Sequence, residues 1–319
     1  MPVRPLWFAG KTGMLSPVSR GLSSDKRRVQ GKPAMTWISW IRRHRRGLFR
    51  FALVSIAVYV AVPVLILSLG LDRVVLGHSH AAATHEQRLS IVMTQNGRGL
   101  AVRRYGEGRD GRCVVFFPGQ HGGMARYEHD LLPMLRMSGY AVYAISYPGQ
   151  DGAPGRATLD DLPGDVGQVL GVLVHDRSCD MRRSIFVGRS FGASVAIMEA
   201  ARFRPKGILV EGLAPDLATA IRAWMRRHAI SWLWQWLPVK TLVPGSGDLK
   251  PVLDGAWSGM PMVVFQGTED DVTPFEDAQA LMAGRVGVKF IPVPGGLHEN
   301  TFLVAGPAYR GALVGLAGE

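Results

Sequence analysis

Acidic residues are nearly missing from the first 71 positions of this 319-residue chain, where Asp25 stands alone. Twelve Lys and Arg in residues 1–50 face that single carboxylate, a net +11, so the formal +12 of the whole chain leaves only +1 for everything after residue 50. A basic globular surface for DNA or RNA is therefore disfavoured, and no nucleic-acid partner is expected. Charge of either sign then disappears from Phe51 to Leu71, a run of 21 residues interrupted only by Ser55, Tyr59, Pro63, Ser68 and Gly70. As a helix this run would span about 30 Å, the thickness of a bilayer core, and a membrane helix tolerates Pro63. Cysteine is scarce, with Cys113 and Cys179 alone, and no Cys or carboxylate accompanies His78, His80 and His85 at metal-site spacing. No metal and no organic cofactor is expected, and no internal repeat is visible.

The basic cluster Arg42-Arg43-His44-Arg45-Arg46 and Arg50 precede the apolar run, whereas only Asp72 and Arg73 follow it closely. Positive charge stays on the cytoplasmic side, so the rest of the chain is expected outside the inner membrane, in a periplasm. The organisation expected is a basic leader at 1–50, a signal anchor at 51–71, a polar linker at 72–87 and a catalytic domain at 88–319. Cleavage after Ala81-Ala82-Ala83 and a start at Met35 remain alternatives. An oxidising compartment would permit Cys113 and Cys179 to pair; two buried thiols are the other option.

From Arg88 the pattern alternates between strands and helices. Strand-like runs lie at 89–95, 100–105, 113–117, 140–146, 184–187, 207–210, 262–266 and 288–292, the first two joined through Asn96-Gly97, a strong hairpin signal. Helix-capable runs lie at 128–137, 159–174, 190–203, 274–283 and 300–316. Such alternation predicts an α/β fold: a mostly parallel, eight-stranded sheet with helices on both faces. After the sixth strand comes an insertion, 213–261, that carries five of the eight tryptophans. It is expected to form a cap, with Trp232 and Trp236 as candidate substrate contacts.

Gly188-Arg189-Ser190-Phe191-Gly192 sits between a strand-like run and a helix-like run. That is the context of a nucleophile elbow, where a tight corner lifts the serine hydroxyl into the open and the helix start turns an N–H toward developing negative charge. Acyl transfer also needs a base, a carboxylate to orient it and donors for the oxyanion. Asp270 follows the seventh strand and His298 the eighth, the chain order this topology requires. Glu269, Asp271 and the more distant Glu211 remain alternatives for the acid. The oxyanion donors expected are the backbone N–H groups of Gln120 and Phe191; His121 lies near the mouth with no catalytic role assigned.

With these residues in place, the stretch from about 88 to 316 resembles the α/β-hydrolase superfamily. Pro118 to His129, with Arg126-Tyr127 inside it, and Gly139 to Ala144 after it resemble blocks of the monoacylglycerol lipase, lysophospholipase and serine-aminopeptidase-like branch. Pro118 stands where that branch usually has His, and Ser146 to Gln150 replaces its usual D-x-R-G-H, changes that alter the pocket mouth. The resemblance implies Ser190 as the nucleophile of a serine hydrolase; with the apolar run at 51–71, the expectation is a membrane-anchored enzyme that cleaves a carboxylic ester or thioester of a small molecule or lipid. The alternatives are a silent hydrolase-fold binding or secretion-accessory protein of the envelope, and a soluble hydrolase with 51–71 as a core helix.

Overall fold

A computed structural model describes residues 37–318 except 78–87, 109–110, 121–122, 138, 177–178, 229–230, 244–246, 256 and 258. The expectations for the leader up to residue 36, for His78, His80, His85 and His121, and for the side chain of Trp232 therefore fall outside the described residues. Two units are distinguished along the chain, Met1–Ile56 and Ala57–Glu319.

Helix α1 covers Trp37–Leu69 and contains Pro63. Its stretch Arg42–Leu69 is, among the described residues, the one helix long and apolar enough to cross a membrane. A short helix, α2 (Leu71–Val75), follows. Here the structure corrects the expected linker at 72–87: Val75 and Leu76 are buried in the core, and Asp72 Oδ1 accepts the Leu159 N–H at 2.9 Å. Two consecutive branched apolar residues cannot be left in water when a hydrophobic groove is within reach, so the packed part starts before residue 88.

The strands are β1 (Arg88–Met93), β2 (Gly99–Tyr105), β3 (Cys113–Phe117), β4 (Ala141–Ser146), β5 (Ile185–Arg189), β6 (Gly207–Glu211), β7 (Met262–Gly267) and β8 (Val288–Val293). They form one sheet in the order β1-β2-β4-β3-β5-β6-β7-β8, in which β2 runs antiparallel to both neighbours and every other pairing is parallel. The β1–β2 hairpin turns at Gly97, and its register pairs Met93 with Gly99. Strands β3, β5, β6 and β7 are buried throughout, as strands covered on both faces must be.

Alternation along β3 sorts its side chains between two cores. Val115 and Phe117 join the layer of α4 (Leu162–Leu173) and α5 (Phe191–Phe203). Val114 and Phe116 join the layer of α3 (Leu131–Met137) and the C-terminal helix. Two helical runs are shorter than their sequence pattern. The expected helix at 128–137 begins only at Leu131, two residues before Pro133, because a proline fits the first turn, where N–H groups have no partner anyway. The last helix divides into Thr301–Ala305 and Pro307–Ala317, since Gly306 adopts φ +48° and Pro307 cannot supply the N–H that would continue the first segment.

Cys113 and Cys179 are joined, with Cα atoms 5.1 Å apart. Cys113 opens β3 and Cys179 lies shortly before β5, its parallel neighbour, so the bond staples adjacent strands at their N-terminal edge. Between β6 and β7 the insertion forms α6 (Leu217–Arg227), a single turn at Ser231–Trp234, α7 (Val239–Leu242) and α8 (Lys250–Asp254). Ala218, Met225, Leu237, Val239 and Val243 give this cap its own small core, against which Val64, Leu67 and Leu71 pack.

Candidate active site

Ser190 stands between β5 and α5 with φ +54° and ψ −124°, a backbone conformation that a residue with a side chain rarely adopts and that costs about 1–3 kcal/mol. What enforces it is the tightness of the corner. A Cβ added at Gly192 would lie 2.1 Å from the Phe117 carbonyl oxygen, so only glycine lets α5 start against the end of β3. The strain points the Ser190 hydroxyl outward and leaves Phe191 as the first residue of α5, where its N–H has no partner within the helix.

Three chain segments converge there, all from the C-terminal ends of strands. Ser190 Oγ lies 2.8 Å from His298 Nε2, and His298 Nδ1 lies 2.9 Å from Asp270 Oδ2. With the imidazole proton on Nδ1 toward the carboxylate, Nε2 is left to accept from the serine hydroxyl. The ring rests against Gly212: at φ +61°, a Cβ there would come within 3.1 Å of the imidazole Cε1. Asp270 is almost wholly bonded. Its Oδ1 accepts the N–H groups of Val272 (3.0 Å) and Thr273 (2.7 Å), and its Oδ2 accepts the Thr273 hydroxyl (2.7 Å) and Gln266 Nε2 (3.3 Å). Burial pushes this carboxyl upward, but the His298 hydrogen bond and charge, with the Thr273 donors, outweigh it and hold Asp270 below the usual aspartate range.

The other carboxylates weighed for this role sit elsewhere. Asp271 is exposed and pairs with Arg227 (3.0 Å), and Glu269 is exposed. Glu211 is buried at the end of β6, 3.4 Å from Arg189 Nε. Burial lifts its carboxyl to about 7 against the lowering pull of Arg189. Arg189 itself is a site element the sequence pattern passed over. Its guanidinium donates to the carbonyls of His298 (3.1 Å) and Glu299 (2.5 Å) and stacks over Tyr127 and Phe302, each 5.6 Å away. It ties the histidine loop to the elbow, and its place inside the G-x-S-x-G pattern was the available signal.

Gln120 and Phe191 line the same cavity as Ser190. The loop carrying Gln120 is held from below. Tyr147 donates its hydroxyl to Pro118 O (2.9 Å), Gln150 Nε2 donates to Gln120 O (3.2 Å), and Gly119 N–H donates to the Tyr127 hydroxyl (3.0 Å). Asp151 accepts the Met124 N–H (2.9 Å), and buried Arg103 lies between Glu128 (3.2 Å) and Asp151 (3.7 Å). The segment Ser146 to Gln150, noticed for its departure from the resembled pattern, thus supplies the supports of this loop.

The cavity above Ser190 has a volume of about 440 Å³ and a predominantly apolar lining. Among the described residues, the tryptophans that line it are Trp224 and Trp234, which corrects the expectation for Trp236: that side chain is 53% exposed and donates through Nε1 to the Tyr59 hydroxyl instead. The reason is the single turn at Ser231–Trp234, which rotates Trp234 inward and leaves Trp236 outside.

A model of the alpha/beta hydrolase family matches residues 114–305. An uncharacterized protein of Mycobacterium tuberculosis (strain ATCC 25618 / H37Rv) is 26% identical over 220 residues, 68% of this chain and 74% of that relative. Among solved structures, the esterase Pf2001 of Pyrococcus furiosus superposes with a TM-score of 0.62 at 16% identity, covering 75% of this chain and 95% of that one. An alpha/beta hydrolase from Novosphingobium aromaticivorans DSM 12444 gives 0.53 at 17%, covering 74% and 99%. The two structures share the fold, and the family match spans β3 through the last loop of the site, so the chain belongs to the alpha/beta hydrolase family.

Proposed function

We propose that this protein is a serine hydrolase that cleaves a carboxylic ester or thioester through an acyl-enzyme, with Ser190, His298 and Asp270 as its triad. The observation that carries the reading is the pair of contacts on one imidazole, 2.8 Å to Ser190 Oγ and 2.9 Å to Asp270 Oδ2. His298 Nε2 takes the hydroxyl proton as Ser190 Oγ attacks the acyl carbonyl, and ionised Asp270 stabilises the imidazolium. The N–H groups of Gln120 and Phe191 receive the oxyanion; a donor of this kind typically contributes about 100 to 1,000-fold in rate. The imidazolium then protonates the departing alcohol or thiol as the carbon–oxygen or carbon–sulfur bond breaks. Water, deprotonated by His298, releases the acid and restores Ser190.

The predominantly apolar cavity favours an acyl chain, in keeping with the lysophospholipase-like resemblance. We assign the apolar run 51–71 as a membrane anchor with the basic cluster before it in the cytoplasm, and the catalytic domain to an extracytoplasmic compartment, where a Cys113–Cys179 bond persists. A fluorophosphonate probe tests the chemistry: the full-length protein should be labelled at Ser190 and Ser190→Ala should not. Absence of labelling in the wild type would favour the silent binding protein.

A further inference from the structure

The apolar helix does more than the anchoring assigned to it. Pro63, Ile66 and Leu67 recur at helical spacing and so share one face of α1, and together with Leu71, the first residue of α2, they line the cavity that holds Ser190. Across the cavity stand Leu217, Ile221, Trp224 and Trp234 of the cap. Val64 and Leu67 of the helix, and Leu71 after it, also pack on the core of the cap, so this end of the helix is part of the same packed body.

A specific polar contact sets the rotation of the helix. In an α-helix the carbonyl of residue i accepts the N–H of residue i+4, and for Tyr59 that residue is Pro63, which has none. The orphaned Tyr59 carbonyl accepts the indole N–H of Trp234 at 3.1 Å. Two more hydrogen bonds converge on the same residue: the Tyr59 hydroxyl donates to the Leu233 carbonyl, and Trp236 Nε1 donates to the Tyr59 hydroxyl at 3.3 Å. Apolar adhesion alone is non-directional and would accept several rotations of the helix. A half-buried carbonyl with no helical donor accepts the one donor set beside it, and the rotation that this fixes puts Leu67 on the side that lines the cavity with Ser190.

We propose that Pro63, Ile66 and Leu67 of the apolar helix, with Leu71 just beyond it, form one wall of the acyl pocket and set which chain lengths the enzyme takes. The proposal rests on the hydrolase reading for its substrate class and names the part of the site that selects within that class. It requires that these residues stay in the mature protein, so a purified native chain beginning after Ala83 would overturn it.

The test uses the full-length chain in phosphatidylethanolamine/phosphatidylglycerol nanodiscs, with p-nitrophenyl acetate and p-nitrophenyl decanoate as probes. Leu67→Trp fills the wall, and the ratio of kcat/KM for decanoate over acetate should fall about tenfold or more. Trp234→Phe removes the donor to Tyr59 and should lower the same ratio. Leu65→Trp, on the exposed side of the same helix, should leave it at the wild-type value. Ratios in Leu67→Trp and Trp234→Phe equal to wild type would overturn the proposal.

A second readout needs no turnover. In a Ser190→Ala background, Leu67→Cys should react with N-ethylmaleimide more slowly in dodecanoate than in acetate, and equal rates would overturn the wall. Protection by dodecanoate in a protein whose Ser190 never labels would retain the pocket and remove the hydrolase reading, so the two failures are distinct.

Discussion

Glu211 offers a quantitative test of how the site is held together. Its carboxyl, buried at the end of β6 behind the histidine loop, titrates near 7, whereas in the unfolded chain it returns to about 4.5. Each unit of difference corresponds to about 1.4 kcal/mol, so ionising this group in the folded protein costs on the order of 3 kcal/mol. The sign follows from proton counts. Between pH 4.5 and 7 the folded state binds more protons than the unfolded one, so this contribution to stability is complete below pH 4.5 and is lost as pH rises through 7. Glu211→Gln keeps the shape and removes the titration. Its absolute stability also reflects the lost partner of Arg189, but that offset is the same at every pH, since the guanidinium stays charged. The quantity to measure is therefore the change between pH 5 and pH 8, from chemical or thermal unfolding, in wild type minus variant. The wild type should lose on the order of 3 kcal/mol more than the variant over that interval. Parallel curves would mean that Glu211 ionises in the folded protein as it does in the unfolded chain, and would refute the upward shift that burial imposes on it.

Asp270→Asn should lower kcat about 10,000-fold with KM little changed, read from ester hydrolysis, because an amide holds His298 in the wrong tautomer; a loss below about tenfold would reassign the acid. Reducing the Cys113–Cys179 bond, whose partners are separated by 66 residues, should cost about 4 kcal/mol in urea unfolding. Ester hydrolysis under native conditions should persist, since the bond lies at the edge of the sheet opposite Ser190. An unchanged urea midpoint would contradict the staple.

All eight strands lie within a few residues of where alternation and turn residues placed them, from Asn96-Gly97 at the first hairpin to Val288–Val293 at the last. Local rules suffice there, because a buried parallel strand is a short apolar run bounded by breakers. Chain order placed the acid in the loop after β7 without separating Asp270 from Asp271, and their different fates depend on Gln266 and Thr273 gathering round one carboxylate and Arg227 reaching the other. Alternation and breakers in the sequence by themselves determined the order of elements, and the glycines of the elbow determined that Ser190 would stand at a corner. Only the tertiary structure decided which tryptophans enter the pocket, what Arg189 grips, and that the apolar helix from Pro63 onward closes against the cap. Those outcomes depend on a carbonyl, a carboxylate and an indole finding partners 22 to 175 residues away in the chain, and neither periodicity nor composition carries information about partners that far apart.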